Sequence, residues 1–128
     1  MMILLDTHVL LWAMLDDHLL PSSARSLISD PDNVVWASAV SFFEIAIKYS
    51  SGRGEIGCSA GEALDYANQA ELRMIDLLPA HALVLESLPW LHRDPFDRML
   101  VAQALAEPLR LVTHDAMVSQ YSDQIIKV

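Results

Sequence analysis

The sequence predicts an α/β fold with a mainly parallel central sheet and helices on both faces. Three observations carry this expectation. Short apolar runs such as MILL (Met2–Leu5) and VVWA (residues 34–37) have the composition of strands buried on both faces. Between such runs lie longer segments with helix-start and helix-stop residues, and strands alternating with helices imply βαβ units. No repeat, low-complexity tract or Gly/Ser linker divides the 128 residues, so one domain spanning 1–128 is expected.

The elements follow in order. After the first strand a helix covers residues 7–15 and stops at the polar break Asp16, Asp17, His18. Pro21 opens a helix over 22–28. DPDN (residues 30–33) is a turn before the strand 34–37. Residues 38–50 form a strong helix, with Ser38 or the pair Ser41/Glu44 as its cap, and GRGEIG ends it. Ser59 with Glu62 caps a helix over 59–72. A strand at 74–77 and a helix at 79–88 come next, the helix stopping at Pro89. A helix from Asp94 and Pro95 runs to Ala106, ended by Pro108. A strand (109–112), a short helix (116–120) and a last strand (125–128) complete the chain.

Composition excludes several classes. Apolar residues make up 53% and charged residues 20%, a globular balance. The longest apolar run, residues 9–15, is too short to span a bilayer, which takes roughly 18 residues. MMILLD lacks the basic segment of a secretory signal. The lone Cys58 forms no internal disulfide and no cysteine metal cluster, which suits the cytoplasm. A net charge of −9 argues against a nucleic-acid scaffold that binds by bulk electrostatics. It leaves room for a nuclease whose carboxylates gather metal ions, and it fits a basic protein partner.

In parallel α/β sheets ligands bind beyond the carboxyl ends of the strands. Asp6 follows the first strand directly, and Asp115 follows the strand 109–112 in LVTHD. Each alone reads as a helix N-cap; on two strands of one sheet they converge. Glu44 lies on a helix that is apolar except for the seam Ser41, Glu44, Lys48, Ser51. That seam is either a solvated stripe with a Glu44–Lys48 pair or the lining of a cleft. In HRDPFDRML, Pro95 takes the first helical position and Asp94 the N-cap, so Asp94 spends its oxygens on backbone N–H groups. Asp97, in the first turn, is the freer carboxylate. Asp6, Glu44, Asp97 and Asp115 together would need a cation, and an all-oxygen set suits Mg²⁺ or Mn²⁺.

LLDTHVLLW, SFFEIAIK, HRDPFDRMLVAQA and LVTHD, in this order, resemble the PIN-domain ribonucleases, most nearly the toxins of bacterial VapBC-type type II toxin–antitoxin pairs. The resemblance implies a three-layer α/β/α sandwich. It implies a cytoplasmic Mg²⁺- or Mn²⁺-dependent endoribonuclease that cleaves RNA with a metal-activated water. Asp6, Glu44, Asp97 and Asp115 match the four acidic places as catalytic and metal-binding residues. Thr113 matches a hydroxyl residue near the last acid that orients water or a carboxylate, and it stands with Arg98 and His92 as a substrate-side residue; Arg98 and His92 either contact RNA phosphates near the site or are solvated or paired with Asp94 or Asp97. His8 departs from the Asn common there. The family implies a homodimer and a VapB-like antitoxin, with operator DNA bound only through the antitoxin. Exposed apolar residues of the first helices, Leu11, Trp12 and Leu15 among them, are either part of the antitoxin groove or core. The alternative function is a non-catalytic PIN scaffold that holds a basic protein or RNA in the acidic cleft.

Overall fold

The structure is a computed structural model that describes residues 1–16, 18–52 and 56–128. Five strands, β1 (Met2–Leu5), β2 (Val34–Ser38), β3 (Arg73–Ile75), β4 (Arg110–Thr113) and β5 (Ile126–Lys127), form one sheet in the order β3-β2-β1-β4-β5. Every neighbouring pair is parallel. The helices are α1 (Thr7–Leu15), α2 (Ser22–Ser29), α3 (Ala39–Ser51), α4 (Ala60–Gln69), α5 (Pro79–Ser87), α6 (Pro95–Ala106) and α7 (Ala116–Ser119).

The pleat of β1 builds the layers. Ile3 and Leu5 point to one face and pack with Val9, Leu10, Leu20 and Ala24 of the α1–α2 layer. Leu4 points to the other and packs with Leu100, Val101 and Val118 of the α6–α7 layer, where α5 joins through Val84 and Leu85. All three strand residues are fully buried, which is why MILL shows no polar alternation. The expected sandwich is therefore the observed one. Helix α3 does something the pattern did not reveal: it touches α1, α4 and α6 together. It crosses the carboxyl edge of the sheet, with Val40 in one core and Ile45 in another built with Leu11, Ile56, Cys58 and Ala63. Cys58 is buried there.

Most element ends fall within a residue or two of expectation, and the exceptions have local causes. Helix α4 has its Ser59/Glu62 capping box but stops at Gln69, short of 72. Glu71 adopts φ +57°, and the Leu72 N–H turns back to the Ala67 carbonyl at 2.9 Å, a Schellman-type closure. Strand β3 accordingly starts at Arg73 and ends before Asp76. Of the two caps offered for α3, Ser38 is the one used, accepting from the Val40 N–H at 3.0 Å. Ser41 lies inside the helix, fully buried, and receives a hydrogen bond from Thr7 Oγ1 at 2.9 Å. The break after α3 begins with Gly52 at φ +65°, a left-handed C-cap that glycine adopts without steric cost. Asp17 and the remainder of that break at 53–55 lie outside the described residues. No helix is long and apolar enough to cross a membrane among the described residues.

Candidate active site

Register sets the site. Leu5 of β1 pairs with Val112 of β4, and the Asp6 N–H donates to the Val112 carbonyl at 3.0 Å. The next residues out, Asp6 and Thr113, therefore stand side by side at the carboxyl edge.

Asp6 is the N-cap of α1. Its Oδ1 accepts from the Val9 N–H at 2.8 Å, and its Oδ2 accepts from Thr113 Oγ1–H at 2.6 Å. Capping and convergence are thus not alternatives, since each oxygen serves one of them. Burial pushes this carboxyl above the usual carboxylate range. The hydrogen bonds from Thr113 and Val9 and the nearby His8 oppose the rise, and the Glu44 charge adds to it. Thr113 is fully buried, and its Oγ1 also accepts from the Asp115 N–H at 3.0 Å. Its hydroxyl orients Asp6 and holds the Asp115 main chain.

Asp115 repeats the division. Oδ1 accepts from the Met117 and Val118 N–H groups at 2.8 and 3.1 Å as the N-cap of α7, while Oδ2 faces His92 Nε2 at 3.1 Å. Partial burial pushes this carboxyl up, but the Val118 N–H, the His92 ring and the Met117 N–H together outweigh it and hold Asp115 below its ordinary value.

The two aspartates of HRDPFDRML separate as the helix-start argument expects. Asp94 caps α6, its Oδ1 accepting from the Phe96 and Asp97 N–H groups at 2.8 and 3.0 Å. Asp97 makes no capping bond and lines the pocket. Its carboxyl is raised from 3.8 to about 7. Burial is the first cause, followed by the negative charges of Asp94 and Asp6; His92 counteracts them, and Glu44 adds a last increment. A carboxylate held this high at neutral pH marks a crowded anionic site.

Glu44 settles the two readings of its seam. The stripe divides: Ser41 and Glu44 are buried, the Glu44 side chain to 3% exposure, while Lys48 is half-buried and Ser51 exposed. Glu44 Oε2 takes the Lys48 ammonium at 2.5 Å, while Oε1 is buried with no hydrogen-bond partner among the described residues. Lys48 is itself the centre of an anionic ring, since the charges of Glu44, Asp94 and Asp97 all act on it.

Asp6, Asp97 and Asp115 line a cavity of about 290 Å³ together with His8, Trp12 and His114. His92 reaches the same cluster: ligand atoms of His92, Asp97 and Asp115 lie within 4.8 Å of one another. Its hydrogen bonds assign it a different role from ligation. Nδ1 accepts from the Asp94 N–H at 3.0 Å, so the ring proton sits on Nε2 and points at Asp115 and at Asp97 Oδ2, 3.5 Å away. In that tautomer Nε2 has no lone pair for a metal. It is a donor shared between the two aspartates.

Arg98 is a correction. Expected beside the site as a phosphate contact, it is 5% exposed and turns the other way along α6. Its guanidinium donates to the Pro89 carbonyl at 2.8 Å and Tyr121 Oη at 2.9 Å, and reaches the Leu85 and Leu88 carbonyls at 3.5 Å. It stacks 3.9 Å from the Trp90 ring centre. The cation satisfies the open carbonyl end of α5, where the helix dipole is negative. Leu11 is core, Trp12 is half-buried, and Leu15 is 46% exposed. His81 is buried, with Nδ1 accepting from the Leu78 N–H and Nε2 on Glu107.

The chemistry of the donors suits a hard cation: Asp97 and Asp115 bring ligand atoms close together, Asp6 lines the same cavity, and Glu44 lies outside that lining. The unpartnered, buried Oε1 of Glu44 is an uncompensated anionic oxygen, which is costly unless a cation meets it. Asp6, Glu44, Asp97 and Asp115 offer only oxygen, the preference of hard divalent ions.

The PIN domain family model matches residues 3–124. The chain belongs to the PIN-domain family. Among characterised relatives of this PIN domain is Ribonuclease VapC22 of Mycobacterium tuberculosis, 30% identical over 114 residues, covering 88% of this chain and 86% of the relative. Solved structures share the fold. The crystal structure of VapBC2 from Rickettsia felis bound to a promoter DNA fragment aligns with TM-score 0.69 at 18% identity, over 100% of this chain and 98% of that one. DNA-bound VapBC from Salmonella typhimurium aligns with TM-score 0.67 at 14% identity, over 100% and 97%.

The sequence offered Lys48 as half of a solvated pair or as part of a cleft lining, and assigned it no role of its own beside the carboxylates. The signal was present, since a lysine four residues after a buried glutamate shares its face.

Proposed function

We propose that this PIN domain is a metal-dependent endoribonuclease and the toxin of a type II toxin–antitoxin pair. The observation that carries the reading is the gathering of Asp6, Asp97 and Asp115 around one cavity, with Glu44 acting on Asp6 and Asp97 from behind and one of its oxygens unpartnered. A ribonuclease relative along almost the whole chain supports the choice of RNA. VapBC complexes among the solved structures of this fold support a VapB-like antitoxin as partner; operator DNA in this reading is bound only through that antitoxin.

In this reading Asp6, Glu44, Asp97 and Asp115 hold Mg²⁺ or Mn²⁺. When bound, the ion supplies positive charge to the scissile phosphodiester and lowers the pKa of water at the site. The chain's own residues do the rest. Thr113 holds Asp6 in one orientation, and His92 fixes Asp115 against Asp97. Lys48 offsets the charge of Glu44. Asp97, raised by burial and by the charges of Asp94 and Asp6 when no cation is present, would release its proton to hold the ion. The protein acts in the cytoplasm as one domain, paired as a homodimer.

The test is cleavage of labelled single-stranded RNA by purified protein with Mg²⁺, with Mn²⁺ and with EDTA. Asp6→Asn and Asp97→Asn should lose at least 100-fold in rate, roughly the upper end of the loss when a metal ligand's supporting partner is removed, and should relieve growth arrest on expression. Cleavage at the wild-type rate by either folded variant, or full cleavage in EDTA, overturns the reading.

A further inference from the structure

The cavity has two walls of opposite chemistry. One is the carboxylate wall of Asp6, Asp97 and Asp115. The other is His8, Trp12 and His114. His8 and Trp12 stand one turn apart on α1, with ring centres 6.0 Å apart. Trp12 meets His114 edge to face at 5.6 Å with planes at 72°. Trp12 stands between the two histidine rings, inclined to His8 by 50° and to His114 by 72°, so the histidines brace it and its indole supplies the flat face.

That surface is held rigidly. Trp12 packs on its inner side against the α1–α2 core. The His114 ring is pinned by Nδ1–H donating to the Val128 main-chain oxygen at 2.6 Å. His8 and His114 are exposed and Trp12 half-buried, so ring area faces the cavity.

We infer that this aromatic wall is a stacking subsite for an unpaired nucleobase next to the scissile phosphate. The inference rests on the ribonuclease reading above. A phosphate chain approaching the carboxylates is repelled except where a cation bridges it, so it has no reason to follow the aromatic wall. A base is flat, carries no formal charge, and gains by stacking on aromatic rings whatever its sequence. With a base on this wall, its 5′ or 3′ phosphate falls toward Asp6 and Asp97. A paired base has its faces occupied, so the subsite selects single-stranded or flipped-out nucleotides.

The experiment uses full-length protein carrying Asp97→Asn, so that RNA survives in Mg²⁺. Fluorescence anisotropy compares two probes: a fluorescein-labelled single-stranded RNA of mixed sequence, and an abasic ribose–phosphate strand of the same length. Trp12→Ala should weaken binding of the base-bearing strand by about 5- to 150-fold, the range for losing one base–aromatic stack, and leave the abasic strand nearly unchanged. Trp12→Phe keeps an aromatic face and should retain most of the preference. Trp12→Leu keeps apolar volume against the core and should behave like Trp12→Ala, which separates stacking from folding. In the otherwise wild-type enzyme the same substitutions should raise KM for RNA. An unchanged preference for the base-bearing strand in a folded Trp12→Leu protein, or equal loss on both strands, overturns the stacking subsite alone. A wild-type protein that neither binds nor cuts RNA overturns the ribonuclease reading and this inference with it.

Discussion

Replacing Asp97 with asparagine should stabilise the metal-free protein. Asp97 is only 20% exposed, and its carboxyl is raised from 3.8 to about 7 by burial and by Asp94 and Asp6. Between those two values the folded state holds a proton that the unfolded state has released, so stability falls as pH rises. The native protein keeps the benefit below about pH 4 and has lost it once pH passes about 7. A shift of about three units corresponds to about 4 kcal/mol, and relaxation of neighbouring side chains trims this to roughly 2–4 kcal/mol. Asparagine has nearly the same shape and never ionises. In EDTA at pH 8, Asp97→Asn should therefore melt roughly 5–15 °C above wild type, at a few degrees per kcal/mol for a chain of this size. At pH 4 the two should nearly coincide. Asp6, also raised by burial, tilts both proteins the same way, and Asp115, lowered by its hydrogen bonds, tilts them oppositely at acid pH. Because Asp6 and Asp97 repel each other, the variant also loses part of the Asp6 tilt, which widens the gap at pH 8 in the same direction. Adding Mg²⁺ or Mn²⁺ should close most of the gap at pH 8, because an ion at 100 times its Kd stabilises wild type by about 2.7 kcal/mol and finds a ligand missing in the variant. Differential scanning fluorimetry over pH 4–8 with EDTA or metal reads all of this. A variant less stable than wild type at pH 8 in EDTA, or a gap that does not change with pH, would refute the crowded-carboxylate account.

Other residues allow sharper separations. Lys48→Met removes a cation from the ring of Glu44, Asp94 and Asp97; if Lys48 is a built-in counter-ion, Mn²⁺ binding by calorimetry should tighten about 5-fold or more while metal-free stability falls, whereas weaker metal binding would make it a holder of Glu44. Arg98→Met strips the hydrogen bonds from the Pro89 carbonyl and Tyr121 and should cost roughly 2–4 kcal/mol in chemical denaturation. In folded Arg98→Met protein the KM for RNA should stay within about 2-fold of wild type, and a large rise would return Arg98 to the substrate. Asp94→Ala loses an N-cap, about 1 kcal/mol, and should retain cleavage; an inactive but fully stable Asp94→Ala protein would exchange the roles assigned to Asp94 and Asp97.

Much of the site was legible because its information is local. Asp6 and Asp115 directly follow strands, and a parallel sheet puts strand ends on one edge whatever the packing. Asp94 and Asp97 are told apart by helix-start geometry, which a proline announces in the sequence. Arg98 misled because its neighbour in sequence, Asp97, lines the cavity, whereas its own direction is set by the Pro89 carbonyl beyond the end of α5 and by Tyr121, 23 residues away. The choice between Ser38 and Ser41 as cap was open for the same reason. Both satisfy the local rule, and only the contact of Ser41 with Thr7, 34 residues away, separates them.

Taken alone, then, the chain determined its alternation of strands and helices, the layers that apolar strands demand, and which carboxylates reach the sheet's carboxyl edge. These follow from steric periodicity and hydrogen-bond supply within a few residues. Tertiary structure decided what those carboxylates experience. It brought α3 across the sheet edge so that Glu44 is buried with one oxygen unpartnered, set His92 between Asp97 and Asp115, and lined the opposite wall with His8, Trp12 and His114. Burial and electrostatic crowding depend on groups brought together from distant parts of the chain, and no local pattern of residues encodes them.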